Sequence, residues 1–157
     1  MENKIRKENV MRVLLQRVSQ ASVVIDGEVV GAIGKGVLLL VGITHDDTRK
    51  EADFLVEKAA NLRVFDDEEG VMNCSLLDVG GEALVVSQFT LYGDARKGRR
   101  PSYVAAAPGA VSEPLYEYFV QKMRELGVTV ATGRFGADMK VSLVNDGPVT
   151  LWLEKNA

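Results

Sequence analysis

From Met11 onward the chain falls into runs of recognisable period. In "MRVLLQRVSQASVVI", Val13, Leu15 and Arg17 alternate with Leu14, Gln16 and Val18, a two-residue period that predicts a strand. Val23–Ile25 leads into Asp26-Gly27, a pair suited to a hairpin turn, and Val29-Val30 resumes the apolar pattern. Gly34 and Gly36 punctuate before "VLLLVGI", an unbroken apolar run expected of a strand covered on both faces. The period then lengthens. Ala52, Leu55, Ala59 and Leu62 share one face at helical spacing, and Thr48 with Glu51 matches a capping box at the start of that helix.

"LRVF" reads as a short strand, "DDEEG" as an acidic turn, and "EALVVSQFTLY" as one strand following Gly80-Gly81. Ala95 to Gly109 reads as a loop. A second helix is expected from near Ser112, with Pro114 in its first turn and Leu115, Phe119, Met123 and Leu126 as its apolar stripe; Gly127 stops it. Strands are predicted at Val128–Ala131, Lys140–Val144 and Val149–Glu154, with Asn145-Asp146-Gly147-Pro148 as the turn between the last two. The order predicts an α/β domain of mostly antiparallel strands covered by two helices.

The 157 residues suit a single domain over 11–157. Residues 1–10 are polar and without period, and read as a flexible N-terminal extension. Composition is globular, with 46% hydrophobic and 26% charged residues, and no apolar run approaches the ~20 residues of a membrane span. The first ten residues lack the apolar core of a signal peptide, and Cys74 is the single cysteine, which together suggest the cytoplasm. A net charge of −3 means that any nucleic acid must be met by a local basic patch.

Common catalytic constellations are missing. The one histidine, His45, sits beside Asp46 and Asp47 at a strand end, where a solvated side chain is the plainer reading. Zinc-ligand spacing and glycine-rich nucleotide signatures are not seen, and no base accompanies Cys74. Three polar clusters remain. Ser87-Gln88-Phe89-Thr90 could hydrogen-bond a ligand at a strand end, or satisfy local backbone groups. Arg96-Lys97-Gly98-Arg99-Arg100 could meet phosphates, or be a solvated charge run. Asn-Asp-Gly-Pro is by local statistics a turn with a trans proline bond.

Taken together, "VSQFTLYGD", "KGRRPS", "TGRFGADMKV", "NDGPVT" and the opening "MRVLLQRVSQASV" resemble the D-aminoacyl-tRNA deacylase family over Met11 to Leu153, with Tyr103 as a conservative replacement for phenylalanine. The resemblance implies hydrolysis of the ester joining a D-amino acid, or glycine mischarged on alanine tRNA, to the 3′-terminal ribose. It implies a homodimer of β/β/α layered subunits with no metal or organic cofactor. Ser87, Gln88, Phe89 and Thr90 would line the catalytic pocket. Gly147 and Pro148 would form a Gly-cisPro pair entering the partner's active site, and Arg17 would support that loop. Phe135, Gly136, Ala137 and Met139 would surround the terminal adenosine, while Lys97, Arg99 and Arg100 would touch tRNA phosphates. Rejection of L-esters would come from a clash with rigid backbone carbonyls, which glycine escapes. Thr90 could be the nucleophile, but no base stands beside it; the terminal 2′-hydroxyl could instead assist a water. A non-catalytic module holding an RNA 3′ end, and an editing domain for a wrong L-amino acid, stay open.

Overall fold

The computed structural model describes residues 10–155. In chain order it contains β1 (Arg12–Ile25), β2 (Glu28–Ile33), β3 (Gly36–Gly42), α1 (Arg49–Asn61), β4 (Phe65–Asp66), β5 (Met72–Cys74), α2 (Leu76–Val79), β6 (Glu82–Ser87), a 3-10 turn (Phe89–Tyr92), α3 (Gly109–Glu125), β7 (Thr129–Thr132) and β8 (Lys140–Glu154). The main sheet runs β2-β1-β3-β6-β7, with β8 also on β1. Strand β1 pairs antiparallel with β2, β3 and β8, whereas β3–β6 and β6–β7 are parallel, so the sheet is mixed. The parallel half exists because α1 and α3 act as crossovers on one face.

Alternation along the strands builds two cores. Val13, Leu15, Val37, Leu39, Val41, Ala83 and Val85 point to the helices, where Leu55, Ala59, Phe119 and Met123 meet them. Leu38, Leu84 and Val86 point the other way and join Val18, Val23 and Ile33. "VLLLVGI" is thus apolar on both faces because both faces are covered. The second core closes as the sheet rolls, bringing Gly31 of β2 so near β7 that a Cβ there would lie 2.3 Å from the Thr132 carbonyl oxygen.

The local signals hold where they are local. Asp26 and Gly27 both take positive φ (49° and 79°) and turn the hairpin. Thr48 caps α1 in a full capping box with Glu51. Several boundaries differ from expectation. The strand read in "LRVF" is confined to Phe65–Asp66, and β5 and α2, three and four residues long, are too short to leave a period to read. The strand read through Tyr92 stops at Ser87, where its partner β3 runs out: the final parallel pair is Val41 with Ser87. Helix α3 starts at Gly109, on Pro108, whose carbonyl accepts from the Val111 and Ser112 amides (both 3.0 Å). Pro114 therefore sits in the second turn.

The largest departure is β8. Asn145–Pro148 does not separate two strands; it lies inside one. Gln16 pairs with Thr150 and Val18 with Asn145, so Arg17 alone faces residues 146–149 and the excess is pushed out as a bulge. Residues 1–9 of the expected extension lie outside the described residues; Val10 is buried, and its carbonyl accepts from the Tyr92 hydroxyl.

Candidate active site

The end of β6 and the loop between β7 and β8 face each other across a cavity of about 380 Å³. Ser87, Gln88 and Phe89 line one side; Phe135, Gly136, Ala137 and Met139 line the other. Its size suits a small organic group, and its walls mix aromatic and aliphatic surface with a few polar groups. The Phe135 ring leans on Tyr116 (centroids 6.1 Å apart), whose hydroxyl donates to the Val85 carbonyl at 2.7 Å. Burial pushes the Tyr116 hydroxyl up to about 12, so it stays a donor. Met139 lies over Gly133, where an added Cβ would be 2.4 Å from its sulfur.

Thr90 stands in the turn beside the cavity, and its hydroxyl accepts from the Gln88 side-chain amide. As the first residues of that turn, Phe89 and Thr90 carry N–H groups with no acceptor inside it. The turn is anchored from behind. Arg12 Nη1 donates to the Leu91 carbonyl at 2.8 Å, with its guanidinium over the rings of Tyr92 (4.6 Å) and Trp152 (5.3 Å). Burial pushes the Tyr92 hydroxyl far above its ordinary value, and its one proton is shared between the Val10 carbonyl and the Gly42 carbonyl, the latter 3.1 Å away.

The basic loop abuts this site. Tyr103 meets the exposed Phe89 ring edge-on at 5.2 Å. Asp94 and Ser102 exchange backbone hydrogen bonds (2.8 and 2.9 Å) and close the loop. Asp94 also grips Arg96 through two side-chain bonds (2.9 and 2.8 Å), and this holds its carboxyl down at about 2. Arg96 is therefore committed to the loop's own structure. Lys97, Arg99 and Arg100 are exposed at the tip, and no ion pair engages them among the described residues.

Arg17, Gly147 and Pro148 form a separate cluster, and neither Gly147 nor Pro148 lines the cavity within one chain. Arg17, 8% exposed, donates from Nε to the Asp146 carbonyl and from Nη1 to the Val64 carbonyl, both at 2.7 Å. Asn145 staples the base of the bulge: its Oδ1 accepts from Val149 N (2.7 Å) and its Nδ2 donates to Thr150 Oγ1 (2.9 Å). Gly147 has φ +143°, and a Cβ there would meet Val149 Cγ2 at 2.9 Å and Arg17 Nη2 at 3.1 Å. The Gly147-Pro148 bond is cis, against the local statistics of a trans turn. Both residues are exposed.

Thr150 at the base of the bulge, and Asp138, Gly109 and Ser112 in the cavity wall, are residues that reading the sequence does not single out, and Asn145 is read there only as part of a turn. Asn145, Thr150 and Asp138 lie within the "NDGPVT" and "TGRFGADMKV" motifs. Gly109 and Ser112 carry no such signal, because α3 starts earlier than its apolar stripe indicates.

The arrangement defines a class: an α/β protein with a cavity of small-molecule size at the end of β6, beside a turn whose first amides find no acceptor inside it, with a basic loop packed on that turn. Residues 14–154 match the D-Tyr-tRNA(Tyr) deacylase family. The chain is 64% identical to the D-aminoacyl-tRNA deacylase of Thermomicrobium roseum, over 92% of this chain and 94% of that one. It is 63% identical to the protein of the same name from Brevibacillus brevis, over 92% and 99%. Among solved structures, a c-Myc DNA-unwinding element binding protein aligns with a TM-score of 0.87 and 42% identity, covering 93% of this chain and 99% of that one. A probable eukaryotic D-amino acid tRNA deacylase shares the fold at a TM-score of 0.81 and 21% identity, covering 94% and 100%. The chain belongs to the D-Tyr-tRNA(Tyr) deacylase family.

Proposed function

We infer that this membership makes the chain a D-aminoacyl-tRNA deacylase, which hydrolyses the ester between a D-amino acid and the 3′-terminal ribose of tRNA in the cytoplasm. Glycine mischarged on alanine tRNA is a second substrate, having no side chain to exclude. The observation that carries the reading is that Ser87–Phe89 and Phe135–Met139, distant in sequence, line one cavity. The terminal adenosine lies against Phe135, Gly136, Ala137 and Met139. The ester lies over Ser87–Thr90, where the Phe89 and Thr90 amides receive the developing oxyanion. Thr90 positions the substrate, and the vicinal 2′-hydroxyl assists the attacking water.

The functional unit is a homodimer in which Gly147 and Pro148 of one subunit enter the other's cavity. Three features support this. The bulge is exposed and tied down by Arg17 and Asn145. It does not line its own chain's cavity. Among the described residues, strand β8 pairs only with β1, and it exposes Val144, Leu151 and Trp152 along an edge that would otherwise invite unwanted pairing. The carbonyls of Gly147 and Pro148 then occupy the direction an L side chain would take.

Mixing two variants tests this arrangement. Gly147→Ala, strained by its φ and the two close contacts, is expected to raise L-ester hydrolysis at least about tenfold, the scale of steric discrimination in a pocket. Ala137→Trp fills the cavity and abolishes activity. Subunits of the second carry an intact bulge, so exchanging them with the first should restore rejection of L-esters while D-ester hydrolysis persists. If each bulge served its own chain, mixing would leave the L-ester rate of the Gly147→Ala subunits unchanged. Release of free amino acid, rather than protection of the ester, separates the enzyme from a 3′-end binding module. Preference for D over L esters on one tRNA separates it from an L-editing domain.

The loop tip supplies affinity without reading bases. Replacing Arg99 and Arg100 with glutamine is expected to reduce the slope of log K against log salt by about two, one for each phosphate no longer neutralised. An unchanged slope in a filter-binding series would remove the loop from the tRNA surface.

A further inference from the structure

A second cavity, of about 550 Å³, lies on the other side of Phe135. One wall is a stripe of α3 that includes Glu117, Gln121 and Arg124; the other is the Thr132–Phe135 segment. Phe135 lines both cavities, so the two adjoin at this residue, which marks the partition between them. Arg134, the residue before it, is exposed, and among the described residues its side chain makes no hydrogen bond or ion pair. Arg124 is partly committed, donating to the Val130 carbonyl at 3.2 Å. Carboxylates and guanidiniums balance in this cavity, which therefore exerts no strong pull on a bare polyanion. It suits a neutral polar ring, with one free cation at the partition.

We propose that this cavity is the subsite for the nucleotide preceding the terminal adenosine. Its base packs on the part of Phe135 that lines this cavity, beside Tyr116, and Arg134 pairs with the phosphodiester that joins the two. The chemistry is that of a ribonucleotide: an aromatic face for the base, amide and backbone groups for its edge, and a guanidinium for the phosphate. This rests on the reading that the first cavity holds the adenosine. It goes further by fixing where the RNA leaves the active site, over the β7–β8 loop toward α3. Recognition then extends beyond the acylated nucleotide without any sequence-specific groove.

The experiment compares adenosine carrying a D-amino acid on its ribose with the equivalent cytidylyl-adenosine dinucleotide. With the wild-type dimer, the added nucleotide is expected to raise kcat/KM about tenfold, chiefly through KM, as one stacked base contributes. Arg134→Ala, and Glu117→Trp filling the cavity from α3, should each cut that advantage to about twofold or less. An advantage of the same size in wild type and both variants would overturn the subsite, as would no advantage in wild type. The underlying reading fails differently: Ala137→Trp would then leave hydrolysis of the aminoacylated adenosine itself intact.

Discussion

Replacing the terminal 2′-hydroxyl by hydrogen, with the D-amino acid fixed on the 3′ position, is expected to slow hydrolysis by about 10²–10⁴-fold, the range of a positioned acid–base group. The reason is what surrounds the place proposed for the ester. The Thr90 hydroxyl is engaged by the Gln88 amide rather than by a base. No histidine lines the cavity, and its carboxylate, Asp138, is 88% exposed and paired with Lys140 at 3.3 Å. A nucleophilic threonine needs a base within hydrogen-bond reach to carry its proton. The vicinal hydroxyl of the substrate is already in place, so its help costs no assembly entropy. Single-turnover release from the 2′-deoxy substrate measures the effect, and an undiminished rate would sink the idea. Thr90→Ala is the companion measurement. A small loss fits a positioning role, whereas a loss of ~10³-fold or more would return the nucleophile to Thr90.

Arg17→Met is expected to destabilise the fold by about 3–5 kcal/mol, through two charge-assisted bonds worth roughly 1.5–3 kcal/mol each. The side chain is almost fully buried and its two 2.7 Å partners are backbone carbonyls that would be left without it. The contact with Asp66 adds little, because that carboxylate is half exposed and 3.4 Å away. Methionine fills similar volume, so the deficit reports missing polar partners rather than a cavity. Urea unfolding gives the number, and a shift under ~1 kcal/mol would show that Asn145 alone holds the bulge. Because Arg17 ties the Asp146 carbonyl, the same variant should lose discrimination against L-esters before it loses D-ester hydrolysis.

What is legible in the sequence follows the range of the interactions. The Thr48 capping box, the Asp26-Gly27 hairpin and the doubly covered "VLLLVGI" strand are set by neighbours a few residues away, and each stands as read. The continuity of β8 is not legible. What makes Asn145–Pro148 a bulge rather than a turn is Arg17, 129 residues from Asp146, and no local pattern carries that. The mixed sheet is hidden for a similar reason: whether a strand pairs parallel depends on the helix crossing before it, not on its own alternation. The cavity is legible only through the resemblance, because Ser87–Phe89 and Phe135–Met139 are ordinary as separate strings. The end of β6 at Ser87 is masked by Leu91 and Tyr92, apolar residues that serve the turn's anchor instead of a strand.

Arg12 stacks on Trp152, the chain's sole tryptophan, which lies 47% exposed on the edge strand beyond Pro148. The molecule thus carries a single indole fluorophore, seated between the guanidinium that anchors the Phe89–Tyr92 turn and the strand that bears the bulge. Its emission needs no label and no correction for other indoles, and it responds to whatever covers that edge or shifts that turn.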